Sequence, residues 1–286
     1  MNKPRCVHNY LQVCETGATP PGIVDFLKGT VALFKYSKTY GYNLYINKDV
    51  HPVFKYFEDC EYYVHDGNIN NCKTYELLSQ ADAVYVDHIM ETLFKNHMSF
   101  HILTNCFIEN KKKTITRDID NETKLFIQKL LTPSTILKNK LNEVYTYFSI
   151  SNEDRYHCIH IRFGDNFLVS SDIDLSIIHT INSTIQNIIN ENTGIKLILI
   201  SDSSNMSNEL IKYHTNLLYW NNKKIHIGIL SNYDENALVD TLTDLLILSK
   251  SKKIYTININ TNLLTTFSPF ISEIYNIDNI IYRLVR

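Results

Sequence analysis

The chain has 286 residues, 44% apolar and 20% charged, with a formal net charge of −2 at neutral pH. That length suits one large α/β domain or two smaller ones, with enough apolar residues for packed cores. The slightly negative balance leaves no electrostatic footprint for nucleic acid, and Lys111-Lys112-Lys113 reads as a solvated loop.

In chain order, residues 6–14 are predicted as a first strand, closing in a loop over 15–22 that is rich in turn residues. Helical spacing follows over 23–36, where Phe26, Leu27, Val31, Leu33 and Phe34 supply an apolar face. Residues 43–46 are the next strand, and strand, turn, helix, strand is the opening unit of a doubly wound sheet. Short strands at 83–86 and 102–104 and helices over 121–130 and 134–148 complete a first half, with Ser134 as the cap of the second helix. A second series places strands at 156–162, 196–201, 225–230 and 253–257. Helices separate them at about 174–191, 205–215 and 234–249, with a last one near 268–276. Regular alternation argues for parallel sheets covered on both faces. The expected domains are 1–150 and 151–286.

No window reaches the ~18 uninterrupted apolar residues of a membrane span. The segment from Met1 to His8 has neither the apolar stretch nor the small-residue site of an export signal. Six cysteines without CxxC pairs read as free thiols, so a soluble, cytoplasmic protein is expected.

The most informative stretch is His160-Ile161-Arg162-Phe163-Gly164-Asp165. It ends an alternating strand on which Cys158, His160 and Arg162 share one face. A guanidinium at a strand's carboxyl end is placed where open α/β sheets bind anionic ligands, and its planar fork suits a diphosphate. Gly164 lets backbone N–H groups approach a phosphate closely. The alternative is an Arg162 paired with a core acid and a His160 satisfied in the interior. Asp202 follows a buried strand at the same sheet edge, or simply caps the next helix. Asp240 and Asp244 share a helix face, either solvated or, near a nucleotide, accepting from guanine N1 and N2. Thr265-Thr266-Phe267-Ser268 opens the last helix, as an anion site or as ordinary capping.

Metal signals are weak. Asp118-Ile119-Asp120 and Asp172-Ile173-Asp174 fit a DxD pattern but lie in polar stretches, and His97 and His101 lack an HExxH glutamate. There is no Walker loop, no full GxGxxG and no GxSxG elbow.

Taken together and in order, these pieces resemble the fucosyltransferase superfamily of α1,2-, α1,6- and protein O-fucosyltransferases. The hexapeptide from His160 is similar to its HxRxGD motif, with Phe163 where HxRR has a second arginine. The helix from Asp240 followed by Thr265-Thr266-Phe267-Ser268 is similar to the family's C-terminal block, which contacts guanine, ribose and β-phosphate. Pro21-Gly22-Ile23-Val24-Asp25-Phe26-Leu27-Lys28-Gly29 resembles the acceptor-side loop and helix, with its second loop glycine replaced around Ile23-Val24. The resemblance implies a GT-B-like α/β fold, two Rossmann-like doubly wound domains facing across a cleft, with the nucleotide on the second. It implies an inverting, metal-independent glycosyltransferase that moves fucose from GDP-fucose to a glycan or protein hydroxyl, without a cofactor. On that reading Arg162 stabilises the departing GDP and Asp25 is the base, with Asp165 as its alternative. His160, Gly164, Asp165, Asp202, Asp244, Thr265, Thr266, Phe267, Ser268 and Gly22 bind substrates. The competing expectations are a GT-B transferase with another nucleotide-sugar donor and a non-catalytic nucleotide-sugar or glycan-binding module.

Overall fold

The computed structural model describes residues 5–8, 12–14, 17–19, 22–49, 51–64, 73–77, 91–92, 100–104, 119–151, 154–163, 175–223, 225, 234–259 and 265–284. The chain divides into two compact units, the first running to Ser134 and the second opening at Thr135.

The first unit holds a five-stranded parallel sheet in the order β5-β4-β1-β7-β6. Its strands are β1 (Arg5–His8), β4 (Asn43–Asn47), β5 (Tyr63–Val64), β6 (Lys73–Leu77) and β7 (Phe100–Thr104). The strand expected over 6–14 is two elements. β1 joins the sheet, whereas β2 (Gln12–Cys14) pairs antiparallel with β3 (Gly17–Thr19) in a separate hairpin. Alternation along the chain is the same in both, so it could not show where the pairing partner changes. The strand expected at 83–86 lies outside the described residues.

Helix α1 (Ile23–Tyr40) runs one turn beyond its expected end and buries Phe26, Leu27, Val31, Leu33 and Phe34. It stops at Gly41, whose left-handed backbone (φ 73°) lets its N–H reach Ser37 O at 2.8 Å. Phe34 stacks on Phe126 of α2 (Asn121–Leu130), the ring centres 3.9 Å apart.

Asp120 caps α2, its two carboxylate oxygens accepting from the Thr123 N–H at 2.8 Å and the Thr123 hydroxyl at 2.9 Å. Burial pushes this carboxyl up, but those hydrogen bonds and the Lys38 ammonium outweigh it and hold it below the usual value. The resulting stabilisation is present above roughly pH 4 and lost as pH falls through the lowered value. We expect Asp120→Ala to cost about 1 kcal/mol at neutral pH, read as a lower urea midpoint. An unchanged midpoint would remove the cap.

Helix α3 (Thr135–Tyr147) belongs to the second unit, so the division falls before the expected residue 150. Its Leu137, Leu141 and Val144 are buried, and the Tyr145 hydroxyl meets that of Tyr156 at 2.8 Å. Ser134 does not cap it through its side chain. The Ser134 hydroxyl is buried and has no hydrogen-bond partner among the described residues, and the Ser134 N–H donates to Tyr56 O at 2.9 Å.

The second sheet is also five-stranded and parallel, in the order β10-β9-β8-β11-β12. Its strands are β8 (Tyr156–Arg162), β9 (Lys196–Ser201), β10 (Leu217–Tyr219), β11 (Lys253–Asn258) and β12 (Asp278–Arg283). Between them lie α4 (Leu175–Glu191), α5 (Ser204–Tyr213), α6 (Glu235–Lys250) and α7 (Phe267–Tyr275). Ile159 and Ile161 of β8 enter one core with Ile178, Ile181 and Ile185 of α4 and Leu210 of α5. The opposite face of β8 meets α6 and α7, with Cys158 Sγ 4.0 Å from Ile247 O. Chain order runs outward from β8 through β9 to β10, then returns to β11, so the winding reverses between β8 and β11. The strand expected at 225–230 falls almost wholly outside the described residues; Ile225, the described one, is not in a strand. Among the described residues no helix is long and apolar enough to cross a membrane.

Candidate functional site

Where the winding of an open α/β sheet reverses, the carboxyl ends of the two flanking strands leave room for a ligand. Here those ends are Arg162 of β8 and Asn258 of β11, which face each other in register, as do His160 and Thr256.

Arg162 is about a quarter exposed, and its Nη1 lies 2.9 Å from Asp202 Oδ2. The other carboxylate oxygen of Asp202 accepts from the Phe163 N–H at 2.8 Å. One acid therefore holds both the guanidinium and the backbone leaving β8. Asp202 does not cap α5; Ser203 does, accepting from the Met206 N–H at 3.4 Å. The pairing of Arg162 with an acid is thus real, and it orients the fork at the sheet edge instead of removing it to the core.

The start of α7 is tied to the same two strands. Asn258 Oδ1 accepts from the Thr265 N–H at 3.0 Å, and Thr265 Oγ1 accepts from the Phe267 N–H at 3.3 Å. Ser268, fully buried, meets His160 Nδ1 at 2.7 Å and the Thr256 hydroxyl at 2.8 Å. The Phe267 ring lies 5.7 Å from that of His160, and Thr266 is the residue before the helix. Arg162 and a helix N-terminus, two sources of positive potential, are so built into one sheet edge.

Asp244 of α6 is buried, not part of a solvated face. Asn222, just beyond β10, places its Nδ2 3.5 Å from Asp244 Oδ1, and the Ser204 hydroxyl donates to its backbone carbonyl at 2.9 Å. Among the described residues Asn222 Oδ1 has no hydrogen-bond partner, and it is buried. The Asn222 amide turns its nitrogen toward Asp244, so the carboxylate and the amide oxygen supply two acceptors, groups suited to a ligand edge carrying N–H donors. Asp240, one turn away, is engaged by Lys140 at 3.6 Å and by the Lys223 N–H at 3.3 Å, and burial pushes its carboxyl up.

Gly22 and Asp25 belong to the first unit, at the start of α1. Asp25 Oδ1 pairs with Lys28 at 2.8 Å, and a Cβ on Gly22 would stand 3.6 Å from Asp25 Oδ2. Gly164 and Asp165 lie outside the described residues, as do Asp118, Asp172 and Asp174. Sequence reasoning missed Asn222, Thr256 and Asn258. For Thr256 and Asn258 there was a signal: two polar side chains on alternate positions of an otherwise apolar strand share a face.

No protein-family profile and no curated protein matches the chain by sequence. By structure it is similar to POFUT1 in its apo form, with a TM-score of 0.58 at 9% identity over 99% of this chain and 98% of that one. POFUT1 in complex with GDP-fucose gives 0.56 at 10% identity over 98% of each chain. An Arg-to-Lys mutant of Arabidopsis thaliana FUT1 in complex with GDP gives 0.56 at 12%, over 99% of this chain and 71% of that one. The chain thus has the α/β, GT-B-like fold of these fucosyltransferases, built from two Rossmann-like units.

Proposed function

We propose that this protein is an inverting, metal-independent glycosyltransferase that moves fucose from GDP-fucose to a hydroxyl of a glycan or protein. The observation that carries the reading is the Arg162 guanidinium, braced by Asp202 beside the start of α7 where the second sheet reverses its winding. It stands on a fold shared with proteins whose structures hold GDP and GDP-fucose.

Breaking the sugar–phosphate bond leaves negative charge on the diphosphate. Arg162 and the positive end of α7 neutralise that charge from fixed positions, so the step needs no divalent cation. Asp244 and the Oδ1 of Asn222 accept from the N1–H and N2–H₂ groups of guanine. Asp25 takes the acceptor's hydroxyl proton on Oδ2 while that oxygen attacks the anomeric carbon from the face opposite the departing GDP. The Lys28 ammonium on Asp25 favours a second reading, a protein that binds the nucleotide sugar without turning it over. In that case GDP-fucose binds and Asp25→Asn changes nothing.

A thermal-shift panel of GDP, UDP, ADP and their sugar conjugates tests the reading. Ligand at about 100 times its dissociation constant stabilises by roughly 2.7 kcal/mol. A rise in Tm selective for GDP and GDP-fucose is expected, and transfer is expected to survive a chelator. A rise with uridine or adenosine conjugates would replace the donor. No rise with any of them would end the nucleotide reading, and chelator-sensitive transfer would end the metal-free one.

A further inference from the structure

We infer that His160 is held in a single tautomer, its proton on Nδ1, by a one-way hydrogen-bond chain through Ser268, Thr256, Asn279 and Ser272. The direction follows from the far end of the chain. The Ser272 hydroxyl lies 2.8 Å from Pro269 O, a carbonyl that only accepts, so its one proton is committed there. Its oxygen can then only accept from Asn279, 3.3 Å away, which turns the amide so that Nδ2 faces Ser272. Asn279 Oδ1 therefore faces Thr256 at 2.9 Å and takes the Thr256 proton. With that proton spent, Thr256 accepts from the Ser268 hydroxyl at 2.8 Å. Ser268 in turn has no second proton, and its contact with His160 Nδ1 at 2.7 Å requires the histidine to donate.

Burial favours the chain at four of its five members. Ser268 and Thr256 are fully buried and His160 and Ser272 nearly so, which keeps water from the links they form with one another, while the half-buried Asn279 has its amide set by Ser272 on one side and Thr256 on the other. The chain links β8, α7, β11 and β12, and Nε2 becomes the ring atom at which His160 gains or loses its proton. Free histidine favours the opposite tautomer, so the preference belongs to the fold. Thr256, Ser268 and Asn279 are positioning residues for a histidine on the same strand face as Arg162. The use of that histidine by a diphosphate rests on the function proposed above; the tautomer does not.

Long-range ¹H–¹⁵N correlation spectra of the full chain test this directly. The chain has eleven histidines, and His160 is assigned by the signals lost in His160→Gln. At a pH where the ring is neutral, Nδ1 is expected to be pyrrole-like and Nε2 pyridine-like. The reverse pattern in the wild-type protein overturns the inference. Thr256→Val removes the acceptor of the Ser268 proton, which then turns to Nδ1, so His160 should pass to the Nε2–H form; an unchanged pattern also overturns it. Asn279→Asp keeps an acceptor facing Thr256 and should keep the Nδ1–H form; a change of tautomer there counts against the chain. If Thr256→Val fails to fold, the wild-type spectrum still decides. A GDP thermal shift on the same samples separates the two readings. An Nδ1–H histidine without a GDP response leaves the chain standing and the donor assignment overturned.

Discussion

Replacing Arg162 with alanine is expected to lower fucosyl transfer, measured as kcat/KM with GDP-fucose, by about 10²–10³. On the function proposed, the loss is large because the guanidinium is already oriented when the charge on GDP develops. Asp202 Oδ2 holds it at 2.9 Å, so no reorganisation is needed in the transition state. Arg162→Lys is expected to recover only part of the activity, since an ammonium keeps the charge and loses the fork. The fold should survive in both variants. Asp202, its side chain only about a tenth exposed, keeps the Phe163 N–H on Oδ1, and the space the arginine side chain vacates at the sheet edge admits water to Oδ2. An Arg162→Ala protein with native circular dichroism and transfer within tenfold of wild type would take Arg162 out of the reaction.

Phe270→Ala carries the second large effect, a destabilisation of about 3–5 kcal/mol, the usual cost of truncating a fully buried phenylalanine. Phe270 is completely buried, as are Ile271 and Ile274, and together they anchor the inner face of α7. A helix of nine residues does not persist in water by itself, so this anchor is what keeps its start in place. The Phe267 and Ser268 contacts to His160 depend on the same placement. Urea unfolding gives the stability change. A loss below about 1 kcal/mol would mean that the site collapses around the missing ring and that α7 is held by other contacts.

The elements that could be read from the sequence are those whose signal is local. α1, α2, β8 and β9 carry their own apolar period, and each formed close to its expected bounds. Parallel sheets followed from their alternation with helices. β5, β6, β10 and β12 went unseen because they sit at sheet edges, where short or half-polar strands suffice. The division between the units depends on which side buries Leu137, Leu141 and Val144, and that is a tertiary choice.

The site divides in the same way. Strand periodicity alone put His160 and Arg162 on one face at the end of a central strand, because the pleat alternates side chains without reference to any partner. What these groups bond to is a different kind of information. Asp202 reaches Arg162 from the end of the neighbouring strand, Asn222 meets Asp244 from beyond an edge strand, and Ser268 meets His160 across 108 residues of chain. Periodicity is a property of neighbours in sequence. The partner of a buried polar group is chosen by whichever segment the folded core brings within about 3 Å of it.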